Sequence, residues 1–149
     1  MAIFPTRVLL ATDGSPDAAL AAHSAIELCE RTGSELHIVH VGEYVPTFLA
    51  YTEEEPVELR RNAERLLDEQ VERIRAAGGT VAGAHLRLGR PAEQIIGLSE
   101  ELGVGIIVVG SRGQSALRRV VLGSVSEDVV RYAHCPVFVV RAEEVTRPA

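Results

Sequence analysis

Short apolar runs alternate along this chain with longer segments in which apolar residues recur at helical spacing. Continuous runs such as Val8-Leu9-Leu10-Ala11 are typical of strands buried on both faces of a sheet. Apolar residues at every third or fourth position predict helices with one buried face. These patterns predict strands at 7–12, 36–41, 81–88, 104–109 and 136–140, and helices at 16–31, 56–77, 92–102 and 124–132.

The alternation of strands and helices predicts a doubly wound α/β domain. Strand–helix–strand units of this kind are right-handed, and they build a parallel sheet with helices on both faces. Ser15-Pro16 has the residues of a helix N-cap and first turn. Gly83 and an alternating pattern predict that the third strand is a half-exposed edge. The loop at 42–51 is long enough to form a lid.

Length and hydropathy predict one domain, at residues 1–142, followed by a polar tail at 143–149. The chain has 149 residues, of which 46% are hydrophobic, enough for a substantial core. Its apolar runs are strand-sized, well below the ~20 residues of a membrane helix. The run at 8–11 is also too short for the core of a signal peptide. We therefore expect a cytoplasmic protein without a membrane partner.

Charge and residue usage exclude several classes of site. A formal net charge of −6 argues against nucleic-acid binding, and the absence of lysine excludes a Walker-type phosphate loop. Cys29 and Cys135 have no zinc-site spacing and are expected to be buried and reduced. His37 and His40 lie three positions apart in a strand, so they point to opposite faces and cannot share a metal.

A spaced glycine pattern is the strongest chemical signal. Gly110-Ser111-Arg112-Gly113 is followed after nine residues by Gly123-Ser124-Val125-Ser126, between a predicted strand and a predicted helix. Glycine lets backbone amides approach a ligand closely, and a helix N-terminus adds unpaired N–H groups and a favourable dipole. The pattern predicts a phosphate cradle. The alternative is a set of ordinary turn glycines, since the chain has thirteen.

The position of Asp13 extends this interpretation. Ligands of doubly wound sheets bind outside the carboxyl ends of the strands, where the winding direction switches. Asp13 follows the first strand and Gly110 follows the fourth. If these strands are neighbours, a nucleotide could place its phosphates at the cradle and its ribose near Asp13. The alternative role for Asp13 is to accept hydrogen bonds from nearby backbone amides in a turn.

These residues resemble the universal stress protein family, specifically its ATP-binding branch. The resemblance runs from 8–15 through His40-Val41 to 136–140. Its most specific part is Gly110-x2-Gly113-x9-Gly123-Ser124, which matches the nucleotide-binding signature of that branch without a gap. The resemblance implies a five-stranded sheet of order 3-2-1-4-5 and an ATP ligand, with or without Mg²⁺.

The resemblance also implies a role for individual residues. Asp13 would contact the ribose, and the backbone of Val41 would meet the adenine edge. The first glycine cluster would line the cradle, and the second would hold the phosphates. The nucleotide-binding residues carried over are Thr12, Asp13, Val41, Gly110, Arg112, Gly113, Gly123, Ser124, Val125 and Ser126.

Self-association is a further implication of the resemblance, because members of the family commonly form homodimers through the last strand. In this chain the pairing residues would be Val137, Phe138, Val139 and Val140. Pairing would also cover an edge strand that is otherwise open to aggregation.

Catalysis has much weaker support than binding. Efficient phosphoryl transfer needs a positioned nucleophile, charge-neutralising groups and usually magnesium. The sequence offers Asp13 but no lysine and no second carboxylate clearly beside the cradle, so no catalytic residue is assigned. The leading hypothesis is an ATP-binding regulatory module of the stress response. The alternatives are a slow ATPase, an AMP or cyclic AMP binder, and an ATP-free interaction protein of the same fold.

Overall fold

The structure, a computed structural model, describes residues 2–45, 56–111 and 123–141. Strands and helices alternate as predicted. The strands are β1 (Arg7–Ala11), β2 (Glu35–Glu43), β3 (Val81–Gly89), β4 (Ile106–Gly110) and β5 (Val137–Val140). The helices are α1 (Pro16–Thr32), α2 (Val57–Ala76), α3 (Pro91–Leu102) and α4 (Ser124–Tyr132).

The sheet has the order β3-β2-β1-β4-β5, and all of its strand pairs are parallel. β1 lies in the centre, where Ala11 is level with Val39 of β2 and Leu10 is level with Val108 of β4. The chain winds from β1 toward β3 and then returns to build β4 and β5 on the other side. The winding direction therefore switches between β1 and β4, which confirms the predicted fold and strand order.

Each face of the sheet has its own hydrophobic core. Leu10 and Ile38 pack with Ala21 of α1 and Leu67 of α2. Leu9 and Ile107 pack on the opposite face with Ile95 of α3. Leu9 and Leu10 are adjacent in β1 and neither is exposed to solvent. This confirms that the continuous apolar run belongs to a strand covered on both sides.

Two strand boundaries differ from the prediction for identifiable reasons. β4 begins at Ile106 because Gly103 ends α3 in a left-handed conformation and the Val104 amide still bonds to Ser99 O at 3.0 Å. β2 is longer than predicted because β3 runs beside it from Leu36 to Glu43. That pairing includes the first two residues of the predicted lid, whereas residues 46–51 lie outside the described ranges.

The described residues also test several simpler expectations. β3 is an edge strand with half-exposed residues, as predicted. The cysteines are unpaired, but they are half-buried rather than buried. Burial, followed by the nearby charge of Glu30, raises the pKa of Cys29 to about 11. No helix in the described part of the chain is long and apolar enough to cross a membrane. The predicted tail at 143–149 lies outside the described residues.

Candidate functional site

The candidate site lies at the carboxyl edge of the sheet, where β1 and β4 are neighbours. Thr12 and Asp13 follow β1, and Gly110 is the last residue of β4. Leu10 is level with Val108, so Thr12 lies level with Gly110 two residues further on. The adjacency that the sequence left open is therefore present, and it brings the predicted ribose residue Asp13 and Gly110 of the predicted cradle to the same edge of the sheet.

Two helices begin at this edge, and their N-termini differ. In α1, Ser15 Oγ accepts a hydrogen bond from the Ala18 amide at 3.2 Å, and Asp17 adds a negative charge to the first turn. The first turn of α4 likewise contains an acidic residue, Glu127, but its N-cap is Gly123 and no described side chain caps the helix. The first amides of α4 are thus the better anion donors, since unpaired N–H groups and the helix dipole both favour an anion there.

Gly110 is required by close packing between β4 and α1. A Cβ atom at this position would lie 2.8 Å from the carbonyl carbon of Asp17 and 3.0 Å from the Ala18 amide nitrogen. Both neighbours are backbone atoms and cannot move aside like a side chain. The direct role of Gly110 in the structure is therefore to let the end of β4 pack against the first turn of α1. A contact of Gly110 with a nucleotide stays a prediction.

Ser111 connects the elements that surround the crevice. Its amide donates to Val140 O of β5 at 2.9 Å, and its hydroxyl donates to Asp17 Oδ2 at 2.7 Å. Its carbonyl accepts from the Gly123 amide at 2.6 Å and from Ser126 Oγ at 2.8 Å. Every polar group of this buried residue is therefore bonded to another part of the site.

Asp17 and Ser111 are residues that the sequence analysis missed. Asp17 is 5% exposed, although it is an acidic residue in the first turn of a helix. The sequence showed no second carboxylate clearly beside the predicted cradle, and the structure places the Asp17 carboxylate against Ser111 of the glycine pattern. The only signal in the sequence was an acidic residue in the first turn of a predicted helix. The contact of Asp17 with Ser111 spans 94 residues and depends on the order of the strands.

Ser126 has less freedom to bind a ligand than the sequence indicated. A serine hydroxyl has one proton to donate. In this structure Ser126 Oγ donates to Ser111 O at 2.8 Å and lies 3.0 Å from Gly123 O. Its backbone amide and the exposed residues Ser124 and Val125 lie at the start of α4, and their contact with a phosphate stays a prediction.

Thr12 and Asp13, which follow β1, are both hydrogen-bonded to other groups of the protein. The Ser15 amide donates to Asp13 Oδ1 at 2.9 Å, which is the alternative turn role considered for this carboxylate. Thr12 Oγ1 donates to the Gln70 side chain at 3.3 Å, and His40 Nδ1 lies 2.8 Å from Thr12 O. Gln70 and His40 are thus buried supports of this turn that the sequence analysis did not assign.

The structure places most of the predicted site at one edge of the sheet. Val41 lies in β2, two residues beyond Val39, which is level with Ala11 at the end of β1. Val41 is therefore level with Asp13, near the carboxyl edge of the sheet. Arg112 and Gly113 lie outside the described residues, so their predicted contacts stay predictions.

The histidines of β2 confirm the predicted opposite faces. His37 Nδ1 lies 3.2 Å from His85 Nε2 of β3, whereas His40 contacts the turn after β1. Desolvation, the neighbouring His37 and the charge of Arg87 lower the pKa of His85. Within the described ranges, no three side chains of His, Cys, Asp or Glu group closely enough to hold a metal.

Solved structures of similar proteins share this architecture. The protein MJ0577 has a TM-score of 0.75 and 28% sequence identity, covering 93% of this chain and 96% of its own. A universal stress protein from Archaeoglobus fulgidus, in complex with dAMP, has a TM-score of 0.67 and 26% identity, covering 93% and 99%. The fold of this chain thus occurs in a known group of structures.

Sequence relatives indicate the same group. YxiE of Bacillus subtilis (strain 168), a universal stress protein, is 35% identical over 148 residues, covering 91% of this chain and 98% of its own. A universal stress protein of Thermus aquaticus is 38% identical over 134 residues, covering 90% and 97%. The model of the universal stress protein family matches residues 5–141, which include every strand, every helix and the whole crevice, and the chain therefore belongs to that family.

Proposed function

We propose that this protein binds ATP in the crevice between β1 and β4 and acts as a regulatory nucleotide-binding module of the stress response in the cytoplasm. The observation that carries the proposal is the N-terminus of α4, which begins at Gly123 without a side-chain cap. Asp13 follows β1, the strand beside β4, so in this proposal the α4 end of the site takes the anion and the Asp13 end takes hydroxyl groups.

An adenine nucleotide is supported by a relative of the same fold. The Archaeoglobus fulgidus protein, whose structure contains dAMP, is 26% identical to this chain over nearly its whole length. A triphosphate is supported by Gly110-x2-Gly113-x9-Gly123-Ser124, which resembles the signature of the ATP-binding branch. In this proposal Asp13 binds the ribose, the backbone of Val41 meets the adenine, and residues 123–126 bind the phosphates with Arg112 and Gly113.

Binding without efficient catalysis fits the carboxylates at the site. Asp13 accepts a hydrogen bond from the Ser15 amide, and Asp17 accepts one from Ser111 Oγ. Both carboxylates thus orient the protein itself, which is a poor arrangement for activating water. Slow ATP hydrolysis is the second candidate, and Asp13→Ala is its control. Phosphate release at the same rate from both proteins would identify a contaminating enzyme.

Homodimer formation through β5 is part of the proposal. β5 is an edge strand, and the apolar side chains near it are exposed. The exposed fractions are 41% for Phe138, 48% for Val130 and 59% for Tyr132. A second copy would cover the open strand and these side chains together, which natural edge strands need.

The decisive experiment is a nucleotide titration followed by thermal and urea unfolding. ATP at a hundred times its Kd should raise the free energy of unfolding by about 2.7 kcal/mol, because it binds only the native state. AMP and cyclic AMP are titrated in parallel, with and without Mg²⁺. If no nucleotide stabilises the protein, the proposal is wrong. Greater stabilisation by AMP or cyclic AMP would overturn the choice of ATP.

A glycine variant tests the location of the phosphates. Gly123→Val adds side-chain bulk where the amides of α4 must approach the ligand, and we expect it to abolish ATP binding while the fold is retained. Gly97→Val is the matched control, because a Cβ atom at Gly97 of α3 has no neighbour within 4 Å. Unchanged ATP affinity in Gly123→Val would contradict the cradle.

A further inference from the structure

The bonds of Ser111 form a continuous path through the site. The path starts at Asp17 in the first turn of α1, passes through the Ser111 side chain and carbonyl, and ends at Gly123 and Ser126 of α4. It joins the end of β4 to the start of α4, so it spans the two halves of the glycine pattern. Asp17, Ser111 and Ser126 are each at most 5% exposed, and their bonds are sheltered from water.

The orientation of α4 depends strongly on this path. The helix has nine residues, and its buried side chains are Ser126 and Val129. Val129 packs in the core near the middle of the helix, whereas Ser126 and the Gly123 amide attach the first turn to Ser111 O. The first turn holds the amides that would meet an anion, so Ser111 O sets where those amides lie.

Asp17 in turn holds the side chain of Ser111. Its carboxylate receives the Ser111 hydroxyl at 2.7 Å, while Val140 O receives the Ser111 amide at 2.9 Å. These two bonds fix the residue through its side chain and its backbone amide, and so restrict the position from which its carbonyl reaches α4. The contact exists because Gly110, the preceding residue, packs directly on the backbone of Asp17. A charged acceptor makes this hydrogen bond stronger than one between neutral groups.

We propose that Asp17 and Ser111 are positioning residues of the phosphate cradle, which hold the first turn of α4 at the distance from β4 that a polyphosphate requires. Neither side chain contacts the nucleotide in this proposal. The inference rests on the proposed ATP function, and it predicts a particular selectivity. Substitutions that remove hydrogen bonds of this path should weaken the binding of ligands that carry phosphates, and they should leave the binding of the nucleoside part unchanged.

The test compares ATP with adenosine in four variants, by calorimetry for ATP and by competition or ligand-observed NMR for adenosine. Ser111→Ala and Asp17→Ala each remove the bond between the two side chains. Ser126→Ala removes the anchor at the other end and replaces a small buried group with a smaller one. Asp17→Asn keeps an oxygen that can accept the Ser111 proton. The control is Ser99→Ala, which removes a buried serine hydroxyl from α3, where Oγ donates to Ile96 O at 2.6 Å.

We expect Ser111→Ala and Asp17→Ala to weaken ATP binding about tenfold, the scale of a hydrogen bond to a charged group. Ser126→Ala should weaken it severalfold. Adenosine affinity should stay within about twofold in every variant. Ser99→Ala should bind ATP nearly as the parent protein does, and Asp17→Asn, which keeps an acceptor but loses its charge, should weaken ATP binding less than Asp17→Ala does. If Ser111→Ala or Asp17→Ala does not fold, Ser126→Ala carries the same comparison.

Each result decides between the positioning role and its rivals. Equal ATP affinity in the parent and in the variants would overturn the positioning role while leaving ATP binding intact. If a variant loses ATP affinity, adenosine affinity and stability together, the path has only a structural role. That result would also overturn the positioning role. If the parent protein binds neither ligand, the proposed function fails and this inference fails with it.

Discussion

Gly110 has a structural role that differs from the usual one of a glycine beside a ligand. A side chain here would meet the backbone of Asp17 at 2.8 Å, on the side of α1. The residue thus allows a strand and a helix to approach each other, as the close-packing glycine of dinucleotide-binding turns does. Without this approach the Ser111 hydroxyl could not reach Asp17.

Replacement of Gly110 by alanine should destabilise the protein. The added methyl group forces the end of β4 away from α1, and overpacking of this kind costs about 1–3 kcal/mol. Gly97→Ala is the matched control because it lies inside α3 with open space around its Cβ, where alanine stabilises a helix by about 0.5–1 kcal/mol. Urea unfolding of both variants gives the comparison. Equal stabilities would show that β4 and α1 separate without cost.

His37 and His85 form a second contact between elements, on the side of the sheet where β3 is the edge. Their rings are stacked with centroids 5.4 Å apart, and Nδ1 of His37 lies 3.2 Å from Nε2 of His85. One ring must donate and the other must accept, so the bond requires that at least one of them is neutral. Glu35 lies 3.6 Å from His37 Nε2, and Arg87 is paired with Glu101 nearby.

This pair predicts a loss of stability in mild acid. The pKa of His85 is lowered from 6.5 by desolvation, by His37 and by Arg87, so the native protein binds fewer protons than the unfolded chain. Stability therefore rises with pH in this range, and it should be lost as the pH falls from about 6.5 toward the lowered pKa of His85.

The measurement is the free energy of unfolding between pH 8 and pH 5 for the parent protein and for His85→Gln. The slope should be shallower in the variant, because the group with the lowered pKa is gone. His23→Gln, which removes an exposed histidine from α1, should retain the parent slope. The same slope in His85→Gln and in the parent protein would assign the acid sensitivity to other groups.

Among the elements, β5 presents an open hydrogen-bonding edge. The carbonyls of Val140, its last residue, and of Pro136, which precedes it, receive bonds from Ser111 and Ile107 on the β4 side. Because backbone groups alternate along a parallel strand, the amides of Val137 and Val139 point to the open side. A partner strand would use these amides, so they can be removed without breaking the pairing with β4.

Val139→Pro tests this edge in the proposed homodimer. Proline has no amide to donate, and it is tolerated on an edge strand when the missing N–H would face outward. We expect the variant to dissociate at concentrations where the parent protein is dimeric, as measured by analytical ultracentrifugation. Val139→Ala shares the loss of packing but keeps the amide, and it should remain largely dimeric. A stable Val139→Pro dimer would place the interface elsewhere.

The sequence predicted elements well wherever a local pattern determined them. Ser15 and Pro16 begin α1 as expected, since capping depends on neighbouring residues. The start of β4 was missed because Val104 is apolar like a strand residue, although its amide completes the end of α3. In α4, Val129 is buried but Val125 and Val130 are exposed, because one helix face packs and the proposed partner would cover the other.

At the scale of the whole molecule, the strand order and the carboxyl-edge crevice were predicted, whereas the interior of the site was not. The spacing of the glycine pattern singled out Gly110 and Gly123, which the structure places at the end of β4 and at the N-cap of α4. The contact between Asp17 and Ser111 could not be predicted in this way, because it needs β4 to lie beside β1 and α1 to pack on its end. Long-range polar contacts follow from topology, and spacing in one sequence carries no information about them.

One bond of Ser111 also joins the proposed ligand site to the proposed interface. Its amide donates to Val140 O of β5, while its carbonyl holds the first turn of α4. Saturating ATP should therefore change the Kd of the homodimer, which sedimentation with and without nucleotide measures. Ser126→Ala, which removes the bond from Ser126 Oγ to the Ser111 carbonyl, should reduce the change. The same dimer Kd in both conditions would show that the site and β5 are independent.

With such a connection, the ATP affinity of the protein would depend on the concentration of the protein itself. Linkage requires that ATP change the dimer affinity by the same factor by which dimerisation changes ATP affinity. A cell that accumulates more of this chain would contain a larger fraction of dimer. The ATP concentration needed to half-saturate the protein would then change, although no contact within the site is altered. The hydrogen bond from Ser111 to Val140 would thus turn expression level into ligand sensitivity.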